Sequence, residues 1–370
     1  MKKTRGIYLH IPFCTGKCFY CDFYSVSGNP NDIFSYTAAL KREIAAAACF
    51  TEKATTDTLY FGGGTPSLLS PAEIADIIET VRKHHDFSAA EITVEANPEP
   101  QLDFKGLKAA GVNRISFGVQ SFSDEVLKTA GRRHTAREAE IALEKAAKVF
   151  DNISVDIMLG LPGDAPEAAA ASAVRAAGFS KHISMYMLKL EPGTAMYEGV
   201  KTGKINLPDE DAAVDSYDAC MEELLKRGFH RYEISNFSLP GFESRHNQKY
   251  WDRSEYFGFG TAAHGFIAGK RYFNPSSIAR YLAGENYGAG RAEEEVISSE
   301  EAAKEAIILA LRTEKGLYIP EFEEEFDCNF RLRYAEELKN AASFAEQNGD
   351  YFRMKHDKLL FESAVARLFI

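Results

Sequence analysis

Near its start the chain reads Tyr8-Leu9-His10-Ile11-Pro12-Phe13-Cys14-Thr15-Gly16-Lys17-Cys18-Phe19-Tyr20-Cys21-Asp22-Phe23. An apolar run ends at Pro12, and Cys14, Cys18 and Cys21 follow, separated by three and then two residues. At this spacing each thiolate can take one iron of a cubane iron–sulfur cluster, and Gly16 lets the backbone turn tightly around it. Three ligands leave the fourth iron open for a substrate or cofactor. The segment therefore predicts a [4Fe–4S] site with one open iron.

Two other interpretations of the three thiols stay open at this point. Zinc would normally need a second Cys or His pair, and none follows at zinc-finger spacing. His10 precedes the loop on a strand and points back along it, so it is a poor fourth ligand. The second alternative is three unrelated thiols. The remaining cysteines, Cys49, Cys220 and Cys328, are interpreted as small buried or half-buried apolar residues.

Composition sets the class of protein. The chain has 370 residues, of which 45% are hydrophobic and 26% charged, which is typical of a globular protein. No run of 18 apolar residues occurs, so a membrane span is excluded. The first residues lack the apolar region of a signal peptide, and we therefore expect a cytoplasmic protein. The net charge of -11 argues against a nucleic-acid partner.

Short apolar runs alternate with helical patterns over the first 235 residues. One helix is predicted to begin at Ser70-Pro71-Ala72-Glu73, which combines a capping Ser, a first-turn Pro and a Glu three residues past the cap. Six strand–helix units predict a parallel sheet with crossover helices. The pattern alone leaves open whether the sheet is open or closes into a barrel. The strands are predicted at 6–11, 58–61, 91–95, 114–119, 152–158 and 182–187.

Three domains are predicted along the chain: a core at 1–235, a Gly- and aromatic-rich segment at 236–290, and a charged, helical part at 291–370. In the last part, helices are expected at 300–313 and 330–347. A hairpin of 351–354 and 359–362 is expected around a turn at His356-Asp357. Helices followed by a hairpin suggest a small α+β, winged-helix-like domain.

The cysteine spacing is the hallmark of the radical S-adenosylmethionine (SAM) superfamily, which the first 235 residues resemble. The resemblance implies an α/β fold, namely a partial (β/α)6 TIM-like barrel with a [4Fe–4S] cluster at its open top. It also implies that SAM binds the open iron through its amino and carboxylate groups and can be cleaved to a 5′-deoxyadenosyl radical. In such proteins the cofactor carries the chemistry, and the protein supplies orientation and excludes water.

Further motifs resemble the oxygen-independent coproporphyrinogen III oxidase branch of this superfamily. A glycine run, Gly62-Gly63-Gly64, follows the second strand, where it is either a ligand site or an ordinary turn. Polar residues end the later strands, and such ends converge on one face of a barrel. Arg132 rather than its neighbour Arg133 fits the register from Gln120. The resemblance assigns SAM binding to Tyr8, Gly63, Gly64, Thr65, Glu95, Gln120, Arg132 and Asp156.

This branch contains oxidases and haem chaperones of the HemW kind. The oxidases carry a further Cys two residues past the third cluster Cys, where this chain has Phe23, and they have more chain before the cluster. The haem chaperones share a His-Asn-Gln-x-Tyr-Trp segment, present here as His246-Asn247-Gln248-Lys249-Tyr250-Trp251. The resemblance implies a haem chaperone that passes haem to haem-requiring, respiratory proteins. The alternative is an oxygen-independent coproporphyrinogen III oxidase, so whether the chain is an enzyme stays open.

The His246 to Trp251 segment has the chemistry of a haem site. A neutral imidazole is a common axial ligand of haem iron, which makes His246 a candidate. Tyr250 and Trp251 offer flat apolar faces for the macrocycle, and Lys249 can pair with a propionate. The alternative is a structural loop in which Trp251 is an anchor and His246 is hydrogen-bonded. His264 is a second candidate ligand. The expected partners are haem, haem-accepting proteins and an electron donor.

Overall fold

The computed structural model of the chain describes residues 4–50, 54–284 and 294–370. Six strands predicted from the sequence are present, each with bounds that match or extend the predicted ones. The strands are β1 Arg5–Ile11, β2 Thr56–Gly63, β3 Phe87–Ala96, β4 Arg114–Gln120, β5 Asn152–Leu159, β6 His182–Met187, β7 His230–Arg231, β8 Asn236–Ser238, β9 Tyr256–Phe259, β10 His264–Ile267, β11 Lys270–Phe273, β12 Glu294–Val296, β13 Leu317–Tyr318, β14 Ala345–Asn348 and β15 Tyr351–Met354.

Strands β1 to β6 lie side by side in chain order and pair in parallel, as crossover helices require. Their two outer edges do not meet. Strand β9 pairs in parallel with β1, and β8 pairs antiparallel with β6. The expected partial barrel of six strand–helix units is confirmed.

Side chains alternate along these strands between a polar inner face and an apolar outer face. Ile7, Leu9 and Ile11 of β1, for example, belong to one large core cluster between the sheet and the helices. On the opposite face, Tyr60, Ser116 and Asp156 line a cavity inside the barrel. Because successive side chains of a strand point to opposite faces, the barrel interior is polar and the layer under the helices is apolar.

Helices cover the outside of the barrel. The helix predicted from its capping sequence begins as expected: the hydroxyl of Ser70 accepts from the Glu73 N–H at 3.3 Å, and the Glu73 carboxylate accepts from the Ser70 N–H at 2.7 Å. The helices are α1 Pro30–Ala46, α2 Pro71–His84, α3 Phe104–Ala109, α4 Asp124–Thr129, α5 Ala136–Ala147, α6 Pro166–Ala177, α7 Ala195–Lys201, α8 Glu210–Leu225, α9 Arg245–Trp251, α10 Ile278–Leu282, α11 Ser299–Leu311, α12 Ile319–Phe326, α13 Phe330–Arg333, α14 Ala335–Ala341 and α15 Glu362–Ala366.

The Gly- and aromatic-rich segment is built onto the barrel sheet, through β8 on one side and β9 to β11 on the other. A buried carboxylate, Glu43 of α1, ties it down. This carboxylate accepts from the N–H of Gly260 at 2.8 Å, the amide of Asn274 at 2.9 Å and the hydroxyl of Tyr281 at 2.6 Å. Three donors satisfy the buried charge, which would otherwise be costly. The predicted boundary after residue 290 lies outside the described residues.

The C-terminal part has its own apolar core, formed by residues between Ala303 and Phe369. Its three strands pair in the order β13-β15-β14. The single helix predicted at 330–347 is wrong, since α13 and α14 are short and β14 follows them. The hairpin is also shifted: β15 pairs with β14, and a 3-10 helix occupies His356–Phe361. Gly349, with a φ of 60°, supplies the left-handed turn that sets this register.

No helix within the described ranges is long and apolar enough to cross a membrane. Of the cysteines outside the loop, Cys220 is buried and Cys328 is half-buried, as predicted. The side chain of Cys49 lies outside the described residues.

Candidate functional site

A cavity of about 790 Å³ opens at the carboxyl ends of the parallel strands, and we call it the mouth cavity. Three structures form its wall: the cysteine loop after β1, the glycine turn after β2, and the ends of β3 to β6. In parallel α/β folds, ligands bind at this end of the sheet. The predicted site residues that line it are Cys14, Cys18, Cys21, Gly63, Gly64, Thr65, Glu95, Gln120, Arg132 and Asp156.

The cysteine loop presents all three thiols to the mouth cavity. The Thr65 hydroxyl lies 3.5 Å from Cys14 Sγ, and an Arg132 N–H lies 3.1 Å from Cys18 Sγ. Within residues 4–50, 54–284 and 294–370, no three His, Cys, Asp or Glu side chains converge on a point where one metal ion could sit. A cubane holds its thiolates apart on separate irons, so this spread is compatible with a cluster. Both ring nitrogens of His10 are hydrogen-bonded, to the Tyr8 hydroxyl at 3.1 Å and to the Tyr24 carbonyl at 2.9 Å, which agrees with its being a poor fourth ligand.

The glycine turn packs directly against the cysteine loop. The N–H of Gly64 donates to the Ile11 carbonyl at 2.8 Å, and the N–H of Thr65 donates to the Phe13 carbonyl at 2.8 Å. A Cβ on Gly64 would lie 2.7 Å from that same Phe13 oxygen, which is too close for any residue with a side chain. Glycine at this position therefore lets the two loops meet, and together they form one wall of the cavity.

Two carboxyl groups, those of Glu95 and Asp156, also line the mouth cavity. Glu95 accepts from the Tyr60 hydroxyl at 2.8 Å and from the Gly63 N–H at 3.2 Å, while Ser116 lies 3.4 Å from Asp156. Burial raises the pKa of Glu95 to about 7 and that of Asp156 to about 6, against the effect of these hydrogen bonds. Near neutral pH, Glu95 is thus poised between a proton donor and an acceptor.

Gln120 and Arg132 line the same cavity, and each has one buried polar atom without a partner. Gln120 ends β4 with a φ of 73°, a left-handed conformation that non-glycine residues rarely adopt. Its Oε1 is buried without a partner, and so is Nε of Arg132. Arg132 otherwise donates to the amide oxygen of Asn97 at 2.9 Å and to the Gly118 carbonyl. Its neighbour Arg133 instead reaches the Thr15 carbonyl at 2.6 Å.

Tyr8 stands apart from the other predicted SAM residues. Its ring stacks on Tyr60 at 6.2 Å between centroids and its hydroxyl bonds to His10, but it does not line the mouth cavity. Sequence reasoning missed several residues that do, namely Asn97, Arg114, Ser116, Ser184, Tyr186 and Asn247. Strand alternation would have found most of them, since Arg114 and Ser116 lie two residues apart on β4 and so share its inner face.

The His246 to Trp251 segment is helix α9, and it closes the opposite end of the barrel. The carboxylate of Glu91 in β3 accepts from the N–H groups of Arg245 and His246, each at 3.0 Å. Lys249 pairs with Asp57 at 2.7 Å beside the amino end of β2. We call helix α9 the floor helix. Gly6 of β1 makes room for it, because a Cβ there would lie 3.1 Å from the His246 ring.

His246 is 1% exposed, and both of its ring nitrogens are used. Nδ1 lies 2.9 Å from the Thr58 hydroxyl, and Nε2 lies 3.0 Å from the Tyr250 hydroxyl. Burial, with the nearby charge of Lys249, lowers the pKa of His246 to about 3, so the imidazole is neutral. This geometry agrees with the alternative predicted from the sequence, in which His246 is hydrogen-bonded and the segment is structural. Ligation of haem iron by His246 stays a prediction, and it would require the floor helix to move.

Tyr250 and Trp251 are also engaged. Tyr250 packs edge-on against Tyr256 at 4.8 Å. The guanidinium of Arg312, next to α11, lies 4.5 Å from the centre of the Trp251 ring, a cation–π contact. Trp251 therefore anchors the floor helix to the C-terminal part of the chain. Asn247 points the other way and lines the mouth cavity.

Comparison with known proteins shows the superfamily to which this chain belongs. Residues 8–174 match the Radical SAM superfamily, and residues 297–356 match the HemN C-terminal domain. The solved structure of coproporphyrinogen III oxidase (HemN) from Escherichia coli superposes with a TM-score of 0.84 at 23% identity, covering 99% of this chain and 90% of that one. That likeness establishes the shared fold. The chain is a radical SAM protein.

Two relatives define the family more closely. The Heme chaperone HemW of Lactococcus lactis is 37% identical over 91% of this chain and 89% of its own length. The Heme chaperone HemW of Bacillus subtilis is 36% identical, covering 91% of both chains. A zebrafish relative, the mitochondrial radical S-adenosyl methionine domain-containing protein 1, is 36% identical over 70% of this chain. The protein belongs to the HemW family.

Membership of the superfamily implies a [4Fe–4S] cluster and SAM as cofactors, and the mouth cavity fits both. Three thiols share one wall, as a cluster with an open iron needs. Gln120 and Arg132 line the same space, and each keeps one buried polar atom without a partner, Oε1 and Nε respectively, as is expected beside a polar ligand.

Proposed function

We propose that this protein is a haem chaperone: a radical SAM protein that binds haem and delivers it to haem-requiring proteins of the respiratory chain. The observation that carries the proposal is the similarity, over nine-tenths of the chain, to two proteins named as haem chaperones. Phe23, in place of the additional cysteine of the oxidases, supports it further.

The residues of the mouth cavity are assigned to the cofactors. Cys14, Cys18 and Cys21 hold the cluster, and SAM, when bound, supplies a sulfonium that an electron from the cluster can cleave. Gly63, Gly64 and Thr65 line the cavity beside the cysteine loop and leave space there for its amino acid part. Arg132 is suited to clamp a carboxylate, since its guanidinium is buried beside the thiols. Glu95, Gln120 and Asp156 complete the proposed SAM site, and Tyr8, which does not line the cavity, supports it by stacking on Tyr60.

Haem transfer tests the proposal directly. The anaerobically reconstituted protein is mixed with haemin, and the Soret band is followed before and after addition of an apo-haem protein. We expect a Soret shift on binding and a second shift when the acceptor takes the haem. A protein that never changes the haemin spectrum would exclude a chaperone role.

An oxygen-independent coproporphyrinogen III oxidase is the second candidate, favoured by the fold shared with HemN. Phe23 lines the mouth cavity and is 64% exposed, so a thiol placed there would face the cofactors. An anaerobic assay with reductant, SAM and coproporphyrinogen decides between the candidates, and Phe23→Cys asks whether the missing thiol alone prevents decarboxylation. We expect no protoporphyrinogen from either protein.

The domain boundaries at 235 and 290, a cytoplasmic location and a separate electron donor are part of the same proposal. The distinct apolar core of residues 303–369 supports an independent C-terminal unit. Fractionation of cells that express the full chain tests the location, and we expect the protein in the fraction without membranes.

A further inference from the structure

The inner face of the barrel continues past β1 onto the neighbouring hairpin. Tyr8 of β1 is in register with Gly258 of β9, and Gly6 with Tyr256. Tyr256 is in register with Phe266 of β10. Paired residues of adjacent strands point to the same side of a sheet. The side chains of β10 and β11 that share this side therefore belong to the same surface as the barrel interior.

That surface carries a distinctive set of side chains. His264 is in register with Phe273, and Phe266 with Arg271. The rings of His264 and Phe273 stack at 5.6 Å between centroids with 27° between their planes, and both side chains are exposed. On the other side of the hairpin, Tyr272 is buried in the main core. Packing from behind thus fixes an exposed imidazole, an exposed aromatic ring and a guanidinium next to each other.

His264 differs from His246 in what its ring can still bind. Its ring makes no hydrogen bond to any described residue, whereas both nitrogens of His246 are occupied. Partial burial, with the positive charge of Arg271, lowers the pKa of His264, so the neutral form prevails near neutral pH. A neutral imidazole with a free nitrogen is the form that binds haem iron.

We propose that haem iron is bound by the imidazole of His264, on the inner face of the β10–β11 hairpin, with the macrocycle against Phe273 and a propionate near Arg271. Haem suits this surface because it is flat, apolar and bears two carboxylates. Phe273 is 43% exposed, and the Arg271 side chain is 38% exposed in ion pairs with Glu295 at 3.3 Å and Glu305 at 2.8 Å. Iron gains only a nitrogen lone pair, so haem can leave by ligand exchange.

The site lies on the hairpin that joins the barrel sheet next to β1, through β9. His264 is close enough to His10 for its charge to lower the pKa of that residue, and His10 is bonded to Tyr24 of the cysteine loop. An exposed ligand at this place matches a protein that must give its haem away, since an acceptor can approach the iron without unfolding the barrel floor. The inference rests on the proposed function and names the ligand for it.

Haemin titration of the full-length, reconstituted protein tests the site. We expect His264→Ala to lose the imidazole-type spectrum and to bind haemin about tenfold or more weakly, as loss of an axial ligand predicts. His264→Cys should restore binding with a thiolate-type Soret band. His356→Ala removes another exposed imidazole, one paired with Glu314, and should leave the titration unchanged.

Each outcome is informative about a different claim. A wild-type protein that does not bind haemin overturns the proposed function together with this site. A wild-type protein that binds haemin, with His264→Ala giving the same spectrum and affinity, overturns only the site. Loss of the imidazole signature in His246→Gln but not in His264→Ala, at equal cluster content, would transfer the ligand to the floor helix.

A matched pair of variants tests the proposed contact between a haem propionate and Arg271. Arg271→Ala removes the guanidinium from the inner face, and Lys270→Ala removes a cation that lies one residue away on the other face, where it pairs with Glu294 at 3.0 Å. We expect the first change to weaken haemin binding about threefold to tenfold, as the loss of a charge-assisted hydrogen bond predicts. Equal effects of the two changes would overturn the assigned orientation.

Discussion

The two ends of the barrel use the same kinds of side chains in opposite ways. At the mouth, Gln120 and Arg132 keep buried polar atoms without partners. At the floor, His246 has both ring nitrogens bonded and Lys249 is paired with Asp57. Residue type alone therefore does not distinguish a binding site from a structural plug. Access to a cavity does, because Gln120 and Arg132 line the mouth cavity, whereas His246 is 1% exposed with both ring nitrogens hydrogen-bonded.

The largest expected effect comes from removing a thiol at the mouth. Cys18→Ser should abolish cluster assembly, so that iron and sulfide fall from about four per chain to near zero after anaerobic reconstitution. Cys328→Ser, outside the loop, is the matched control and should retain both. Equal metal content in the two variants would mean that the loop does not hold the cluster, and zinc in the wild-type protein would mean the same.

At the floor the expected effect is on stability. His246→Ala leaves a void and strips the Thr58 and Tyr250 hydroxyls of their partner, so we expect a loss of about 3 kcal/mol in the free energy of unfolding. His264→Ala, at an exposed ring, should change it by less than about 0.5 kcal/mol. Denaturant unfolding of the two apo-proteins provides the comparison. A His246→Ala protein as stable as the wild type would mean that the floor helix is not a plug.

Two adjacent arginines at the mouth cavity test which side chain binds the carboxylate of SAM. Arg132→Gln should weaken SAM binding about tenfold, because it removes a buried, charge-assisted contact for the carboxylate. Arg133→Gln should change it less than about twofold, since Arg133 reaches the Thr15 carbonyl at the surface. Equilibrium dialysis with SAM on cluster-loaded protein measures both. The reverse order would shift the SAM site by one residue.

The smallest expected effect is a dependence of the protein's stability on pH, caused by Glu95 in the mouth cavity. Because the fold raises the pKa of Glu95 to about 7, the protonated carboxyl is the form that the fold favours. Its stabilising contribution is complete below the unfolded pKa and is lost as the pH rises through about 7. We expect the apo-protein to lose about 1 kcal/mol of stability between about pH 5 and 6 from this group.

Glu95→Gln should flatten that part of the profile, because the amide stays neutral throughout. Glu138, an exposed capping residue, is a matched control, and Glu138→Gln should leave the slope between these pH values as it is in the wild type. A slope unaffected by Glu95→Gln would assign the titration to another group.

The amino-acid sequence by itself determined the class of this protein. Cysteines separated by three and then two residues, a glycine run after the second strand and six strand–helix repeats are local features. Each can be recognised without knowledge of distant contacts. Ser70 to Glu73 likewise fixed the start of α2, because a helix cap is made within four residues. By contrast, 330–347 has helical composition, but Gly349 and pairing with β15 turn its end into a strand.

Only the tertiary structure decided which histidine is structural and which is open. His246 and His264 are both plausible haem ligands on sequence grounds, yet Thr58 meets the first ring from a strand 188 positions away, and nothing described bonds to the second. The same is true of Tyr8, which is near the cysteines in sequence but outside the mouth cavity. Burial and hydrogen-bond saturation are properties of the packed sheet register, which brings together residues that no local spacing relates.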